Sequence, residues 1–140
     1  MTLQASVREE CTLVAVPSSA RAARDFISEY LQKLHAPAAV IADCQLAVSE
    51  LASNVIAHGE GSEFSIAIDA SDPQWWLVEV ASNMVTGATN MLLPESWVVT
   101  GADHISGRGL GIVRRLMTDI VVTIDVGRVS TRCRQRRTAP

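Results

Sequence analysis

Two groups of residues in this chain have types and spacings that could do chemistry. Glu50, Asn54 and His58 recur at i, i+4 and i+8 within AVSELASNVIAHG. If that stretch is helical, a carboxylate, an amide and an imidazole line up along one edge. A carboxylate can act as general base toward a hydroxyl or water. A carboxamide oxygen is a hard ligand suited to magnesium, which keeps most of its own waters. A solvated helix edge would carry the same row, so spacing alone does not decide. The second group is Gly107-Arg108-Gly109-Leu110-Gly111. Three glycines around one arginine let backbone amides and a guanidinium converge on phosphate oxygens at a helix N-terminus. Taken alone it is equally a plain glycine-rich loop. It is not a Walker A loop, which needs a following Lys-Ser/Thr, nor a dinucleotide-binding turn, whose strand-turn-helix-strand order with an acidic residue is not met.

These groups need elements to hold them. Ala23, Phe26, Ile27, Tyr30, Leu31 and Leu34 fall on one helical face, so an amphipathic helix follows a short strand at 12–16 (TLVAV), with Ser18 or Ser19 as N-cap and an end near His35. A second helix starts at Pro37 and runs to about His58, with Gly59 as its left-handed stop. Ile41, Cys44, Val48, Leu51 and Val55 form its core stripe and alanines fill much of the rest, so it must be central. Phe64, Ile66 and Ile68 alternate in one strand and Trp76, Val78 and Val80 in the next, joined by the Ser71-Asp72-Pro73 turn. Residues 83–106 show no clean period and read as a long loop of the lid kind. A third helix spans Gly107 to Thr118, and two strands close the chain, with Ile120, Val122, Ile124 and Val126 alternating in one and Val129, Thr131 and Cys133 in the other. The order predicts an α+β two-layer sandwich, a mixed and mostly antiparallel sheet covered on one face by three helices. Residues 1–11 read as a flexible N-terminus, 12–134 as one domain with a lid at about 83–106, and 135–140 as a basic tail.

Composition narrows the partners. At 140 residues and 48% hydrophobic the chain can bury a core as one domain. A net charge of -3 and a pI near 5.5 supply no general attraction to nucleic acid or anionic membrane, so the expected partner is a protein or a small molecule. The first ten residues have no apolar leader, and no apolar run approaches the ~20 residues that span a bilayer. Cys11, Cys44 and Cys133 are an odd number at long spacings, read as buried thiols in a reducing, cytoplasmic setting. Trp75 and Trp76 must point to opposite faces of their strand, the outer one a hairpin platform or a partner surface. Arg128, Arg132, Arg134, Arg136 and Arg137 make a basic edge without interleaved aromatics. That pattern fits a solvated edge strand or an acidic-partner contact better than nucleic acid. His35 and His104 have no second ligand at useful spacing.

Taken together, the Glu-x-x-x-Asn-x-x-x-His row and the later GRGLGIVRRLMTDI resemble the N box and G2 box of the GHKL (Bergerat-fold, histidine-kinase-like) ATPases. Within that superfamily the chain resembles the short anti-sigma-factor serine/threonine-protein kinases, from residue 12 to 134. The resemblance implies ATP and magnesium as cofactors. Glu50 would orient the attacking serine hydroxyl as general base, and Asn54 would hold the magnesium. Gly107, Arg108, Gly109, Leu110 and Gly111 would hold the phosphates, and His58 and Gly59 would finish the helix under the nucleotide. Ser130 or Thr131 would approach the adenine edge. The family usually shows Asp-x-Gly-x-Gly after the WLVEVAS strand; this chain has Ser82-Asn83-Met84-Val85-Thr86-Gly87 instead. Asn83 then offers an amide oxygen where a carboxylate is usual, a weaker acceptor. The implied function is phosphorylation of a serine on a small anti-anti-sigma antagonist protein and sequestration of a sigma factor or equivalent regulator, as a homodimer. Two other readings stay open at this point: a non-catalytic partner-binding module of the same fold, and a histidine-kinase catalytic domain fragment.

Overall fold

The strands are placed by their alternation. The computed structural model describes residues 8–58, 63–83, 105–125 and 128–137. In chain order the elements are β1 (Arg8–Val14), α1 (Ser19–Lys33), α2 (Ala38–His58), β2 (Glu63–Asp69), β3 (Trp75–Asn83), α3 (Ile105–Leu116), β4 (Asp119–Asp125) and β5 (Arg128–Arg136). The described strands form one five-stranded sheet in the order β1-β2-β3-β5-β4. Every neighbouring pair is antiparallel. The sheet is therefore not mixed: β5, turning back from β4, takes the place beside β3 that a parallel crossover strand would have filled. One face carries Phe64, Ile66, Ile68, Trp76, Val78, Val80, Val129, Thr131 and Cys133, all buried, and three helices cover that face as expected.

The helices follow their sequence faces. Ala23, Ile27, Tyr30 and Leu31 of α1 are buried, with Phe26 and Leu34 packed partly against them. Along α2, Cys44, Ala47, Val48, Leu51, Ala52 and Val55 are buried, and Ile41 packs at the margin. Fully burying a side chain such as Ile27, Val48 or Ile66 contributes ~1.5–3 kcal/mol. α2 packs against α1, α3 and β3 and is the central helix the alanine-rich sequence requires. Over Ala38–Ala57 its mean hydropathy of 1.3 meets the length and polarity needed to cross a bilayer, where the sequence reading found no such run. Asp43 and Glu50 interrupt that stretch, and Cys44, Ala47, Val48, Leu51, Ala52 and Val55 within it belong to the core, while Leu46 is exposed.

Several boundaries differ from expectation. β1 begins at Arg8, inside the segment read as a flexible terminus, and ends at Val14 rather than 16. Its first residues are polar and gain their place by pairing, with Arg8 lying 3.6 Å from Asp69 of β2 and 3.8 Å from Glu79 of β3. β5 continues to Arg136, into the segment read as a tail. Ser18 occupies the N-cap of α1 without a side-chain cap bond. Of the expected lid, residues 84–104 lie outside the described residues, as does Gly59.

The face away from the helices is closed by its own long side chains. Arg132 meets Glu79 at 3.2 Å, Arg134 meets Asp119 at 2.9 Å, and Arg128 crosses β3 to donate to the Ser65 hydroxyl at 2.8 Å. Such exposed pairs contribute ~0–1 kcal/mol each. Their stems cover small residues, and Ala67 and Ala81 are only 2% exposed. Trp76 is buried in the core with the Arg137 guanidinium 3.9 Å over its ring, while Trp75 is half-buried under Arg134 and Arg136 at 3.9 and 5.0 Å. The outward tryptophan is thus a platform for the arginines of β5. All three cysteines are free, and Cys11 is only half-buried. Burial first, then nearby Asp43, pushes the Cys44 thiol up to about 12; burial, then Cys44 and Asp119, does the same to Cys133.

α1 ends in a Schellman motif. The His35 amide donates to Gln32 O and the Ala36 amide to Leu31 O, both at 3.0 Å, and His35 sits at φ 57°. The left-handed region costs a residue with a Cβ ~1–2 kcal/mol that glycine escapes. His35→Gly is expected to stabilise the fold by about 0.5–1 kcal/mol in urea unfolding, part of the relief being returned as unfolded-chain entropy. An unchanged or lowered midpoint would show that the imidazole is held by contacts that outweigh the strain.

Candidate functional site

The polar edge of α2 is located by a hydrogen-bond tie at its N-terminal end. Asp43, Glu50 and Asn54 lie at i, i+7 and i+11 and share one edge of the helix. The Asp43 carboxylate accepts from Gln135 Nε2 of β5 at 2.8 Å, and the same amide donates to the carbonyl of Leu116, the last residue of α3, at 3.1 Å. This edge therefore faces α3, which packs directly on α2. Glu50 is seven residues beyond Asp43, and Gly109 is seven residues before Leu116, a rise of about 10 Å along each helix.

The expected site residues fall as follows. Glu50 and Asn54 are half-buried beside the core stripe of α2, and His58 is its last residue. Gly107, Arg108, Gly109, Leu110 and Gly111 lie within the first turns of α3, which starts at Ile105; the motif is part of the helix and not a loop before it. Asn83 closes β3, in register with Arg128. Thr131 is buried on the helix-covered face, opposite Val80. Ser130 lies on the other face, and its Oγ is buried without a hydrogen-bond partner. Of the two hydroxyls expected at an adenine edge, alternation leaves only Thr131 on the side of the helices. Gly59 and the glycine-poor segment after Asn83 lie outside the described residues.

Asp43 and Gln135 were not picked out by sequence reasoning. Asp43 stands seven residues before Glu50, so the polar row extends a further two turns toward the helix start, a signal present in the spacing. Gln135 carried no signal, because its partners lie 92 and 19 residues away. The Gln135 Oε1 is buried and has no hydrogen-bond partner, and the amide orientation is fixed by two acceptors facing its nitrogen. Gln135→Ala is expected to cost ~1–2 kcal/mol in chemical denaturation, since it leaves the Leu116 carbonyl and the Asp43 carboxylate without this donor. A loss below about 0.5 kcal/mol would show that water takes over both acceptors.

The donor chemistry suits a nucleotide with magnesium. Among the described residues no group of three or more His, Cys, Asp and Glu could hold a metal by itself. Magnesium is commonly bound through one or two protein oxygens plus the phosphates of its ligand, and the half-buried Asn54 beside α3 is a donor of that kind.

A helix bearing a carboxylate and an amide, packed over an antiparallel sheet against a helix whose first turns are rich in glycine, defines a two-layer α+β domain of the nucleotide-binding class. The histidine kinase-like ATPase domain family matches residues 13–133, and the chain belongs to that family. ATP is the nucleotide that family implies. No curated protein matches the sequence. Among solved structures, the RsbU and RsbW domains of Rv1364c from Mycobacterium tuberculosis are similar with a TM-score of 0.68 at 18% identity; the match covers 92% of this chain and 31% of that one. The SiaB-SiaC complex from Pseudomonas aeruginosa gives 0.60 at 12% identity, covering 92% of this chain and 89% of that one. At these identities the likeness is one of fold, and the chain spans about a third of the first structure's length.

Proposed function

We propose that this protein is an ATP-dependent serine kinase and anti-sigma-type regulator, cytoplasmic and homodimeric. It phosphorylates a small anti-anti-sigma antagonist protein and in its other state sequesters a sigma factor or equivalent regulator. The observation that carries the reading is the Asp43–Gln135–Leu116 tie, which joins the polar edge of α2 to the end of α3, the helix that bears the glycine-rich motif. Bound ATP supplies the γ-phosphoryl group as electrophile. Glu50 orients the serine hydroxyl and accepts its proton. Asn54 gives its carboxamide oxygen to magnesium. The Arg108 guanidinium would neutralise phosphate oxygens, with Gly107, Gly109, Leu110 and Gly111 around it and the glycines leaving room for their approach; the amides of Gly109, Leu110 and Gly111 lie past the first four residues of α3 and are committed to its own hydrogen bonds. By the family resemblance His58 and Gly59 would lie beneath the nucleotide, Asn83 would accept from the adenine amino group, and Thr131 would border the base.

The match to a family of ATPase domains supports the nucleotide, and the two similar folds support partner exchange, one of them being solved as the SiaB-SiaC complex. A second reading, a partner-binding module without phosphotransfer, is favoured by Asn83 standing where a carboxylate is usual and by Val85 standing where the first glycine of that box is usual. Calorimetric titration with ATP or ADP, with and without magnesium, separates the two. Magnesium-dependent binding in the micromolar range supports the kinase reading. No binding at millimolar nucleotide overturns it and leaves a partner-binding module.

A further inference from the structure

β4 is an edge of the sheet with an apolar middle. The other edge, β1, opens with the exposed residues Arg8, Glu9 and Glu10, charges of the kind that keep a sheet edge from pairing. β4 reads Asp-Ile-Val-Val-Thr-Ile-Asp, with its two aspartates at the ends and five β-branched residues between. Val121 is 51% exposed on the face away from the helices. On the other face Ile120 and Val122 are only partly buried, as is Leu116 at the end of α3. Among the described residues no strand pairs with the outer side of β4.

The strand is also close to a palindrome about Val122. Ile120 mirrors Ile124, Val121 mirrors the similarly shaped Thr123, and Asp119 mirrors Asp125. Antiparallel pairing of a strand with a copy of itself has a two-fold axis through one residue pair, and a sequence symmetric about that residue places like side-chain shapes opposite each other on both faces. We propose that two copies of this chain join edge to edge through β4, with Val122 on the two-fold axis, so that their five-stranded sheets form one continuous sheet. This deepens the homodimer reading given above and rests on it.

The pairing sets Val122 opposite Val122 of the second copy on the helix side and Val121 opposite Thr123 on the other, with Ile120 and Ile124 of the two copies in register. Unpaired strand edges and the apolar strip beside them supply the driving force. Asp119 falls opposite Asp125 of the second copy, a like-charge pairing that the Arg134 guanidinium, 2.9 Å from Asp119, offsets. One strand pair is a small interface, so association in the micromolar range is expected.

The test uses the full chain with Cys11→Ser, Cys44 and Cys133 being buried. Val122→Cys places one thiol on the axis, where paired Cα atoms lie ~4.5–5.5 Å apart and a disulfide can close. Mild oxidation is expected to give a covalent dimer. Ile120→Cys, off the axis, is expected to give none. Val121→Lys changes an exposed side chain and is expected to raise the dimer dissociation constant at least about tenfold in sedimentation velocity. A dimer that survives Val121→Lys and does not cross-link at position 122 joins through another face; that overturns this proposal and leaves the homodimer reading standing. A wild-type chain that stays monomeric at the highest attainable concentration overturns both.

Discussion

Glu50→Gln is expected to lower the rate of phosphate transfer by about 10²–10⁴-fold, the range a positioned general base contributes, while nucleotide affinity stays within a few-fold of wild type. Glu50 is half-buried on the edge of α2 that faces α3, outside the stripe formed by Val48, Leu51, Ala52 and Val55. The amide of glutamine matches the carboxylate in volume and still hydrogen-bonds, so the fold loses no packing and gains no unpaired group. What it loses is the capacity to take a proton. The measurement is transfer of labelled γ-phosphate to an antagonist protein that the wild-type chain phosphorylates, with calorimetry of ADP binding on the same preparation. Equal loss of transfer and binding would make Glu50 a binding residue, and undiminished transfer would assign the base elsewhere.

The readable parts of this chain were those whose signal is local. The six-residue face of α1 and the alternation of Phe64, Ile66 and Ile68 are periodic within one element, and both faces pack as the periodicity requires. The Glu50–Asn54 row was legible for the same reason. The start of β1 was not: Arg8, Glu9 and Glu10 carry no strand pattern, and their extended backbone is fixed by β2, more than fifty residues away. The first two residues of α3 were likewise hidden: the glycines from Gly107 read as the opening of the helix, which begins at Ile105. Glycine weakens a helix by ~1 kcal/mol relative to alanine; packing of α3 on α2 and the tie from Leu116 to Gln135 hold it against that propensity.

The same distinction explains the arginines of β5. By sequence they form a basic edge, and charge counting gives them no partner. In the folded chain Arg132 and Arg134 meet acids on neighbouring strands, Arg128 reaches Ser65, and Arg136 stacks on Trp75. Cross-strand pairing is set by register, which the chain acquires only once β5 has slipped between β3 and β4. Much of that positive charge is therefore committed within the sheet.

Asn54→Ala tests the metal half of the site, and its expected effect is specific to one condition. With magnesium present, ATP affinity should fall at least ~10–100-fold, since removing even a residue that only supports a metal ligand commonly has that effect. Without magnesium, ADP affinity should change little, because Arg108 would still meet the phosphates. The contrast matters more than either value. Asn54 lies one turn beyond Glu50 on the same edge, so a general disturbance of α2 would weaken binding in both conditions and lower the unfolding midpoint. A loss confined to the magnesium titration, with an unchanged midpoint, places the carboxamide oxygen on the metal; equal loss in both removes it from the metal and makes it a contact to the nucleotide itself.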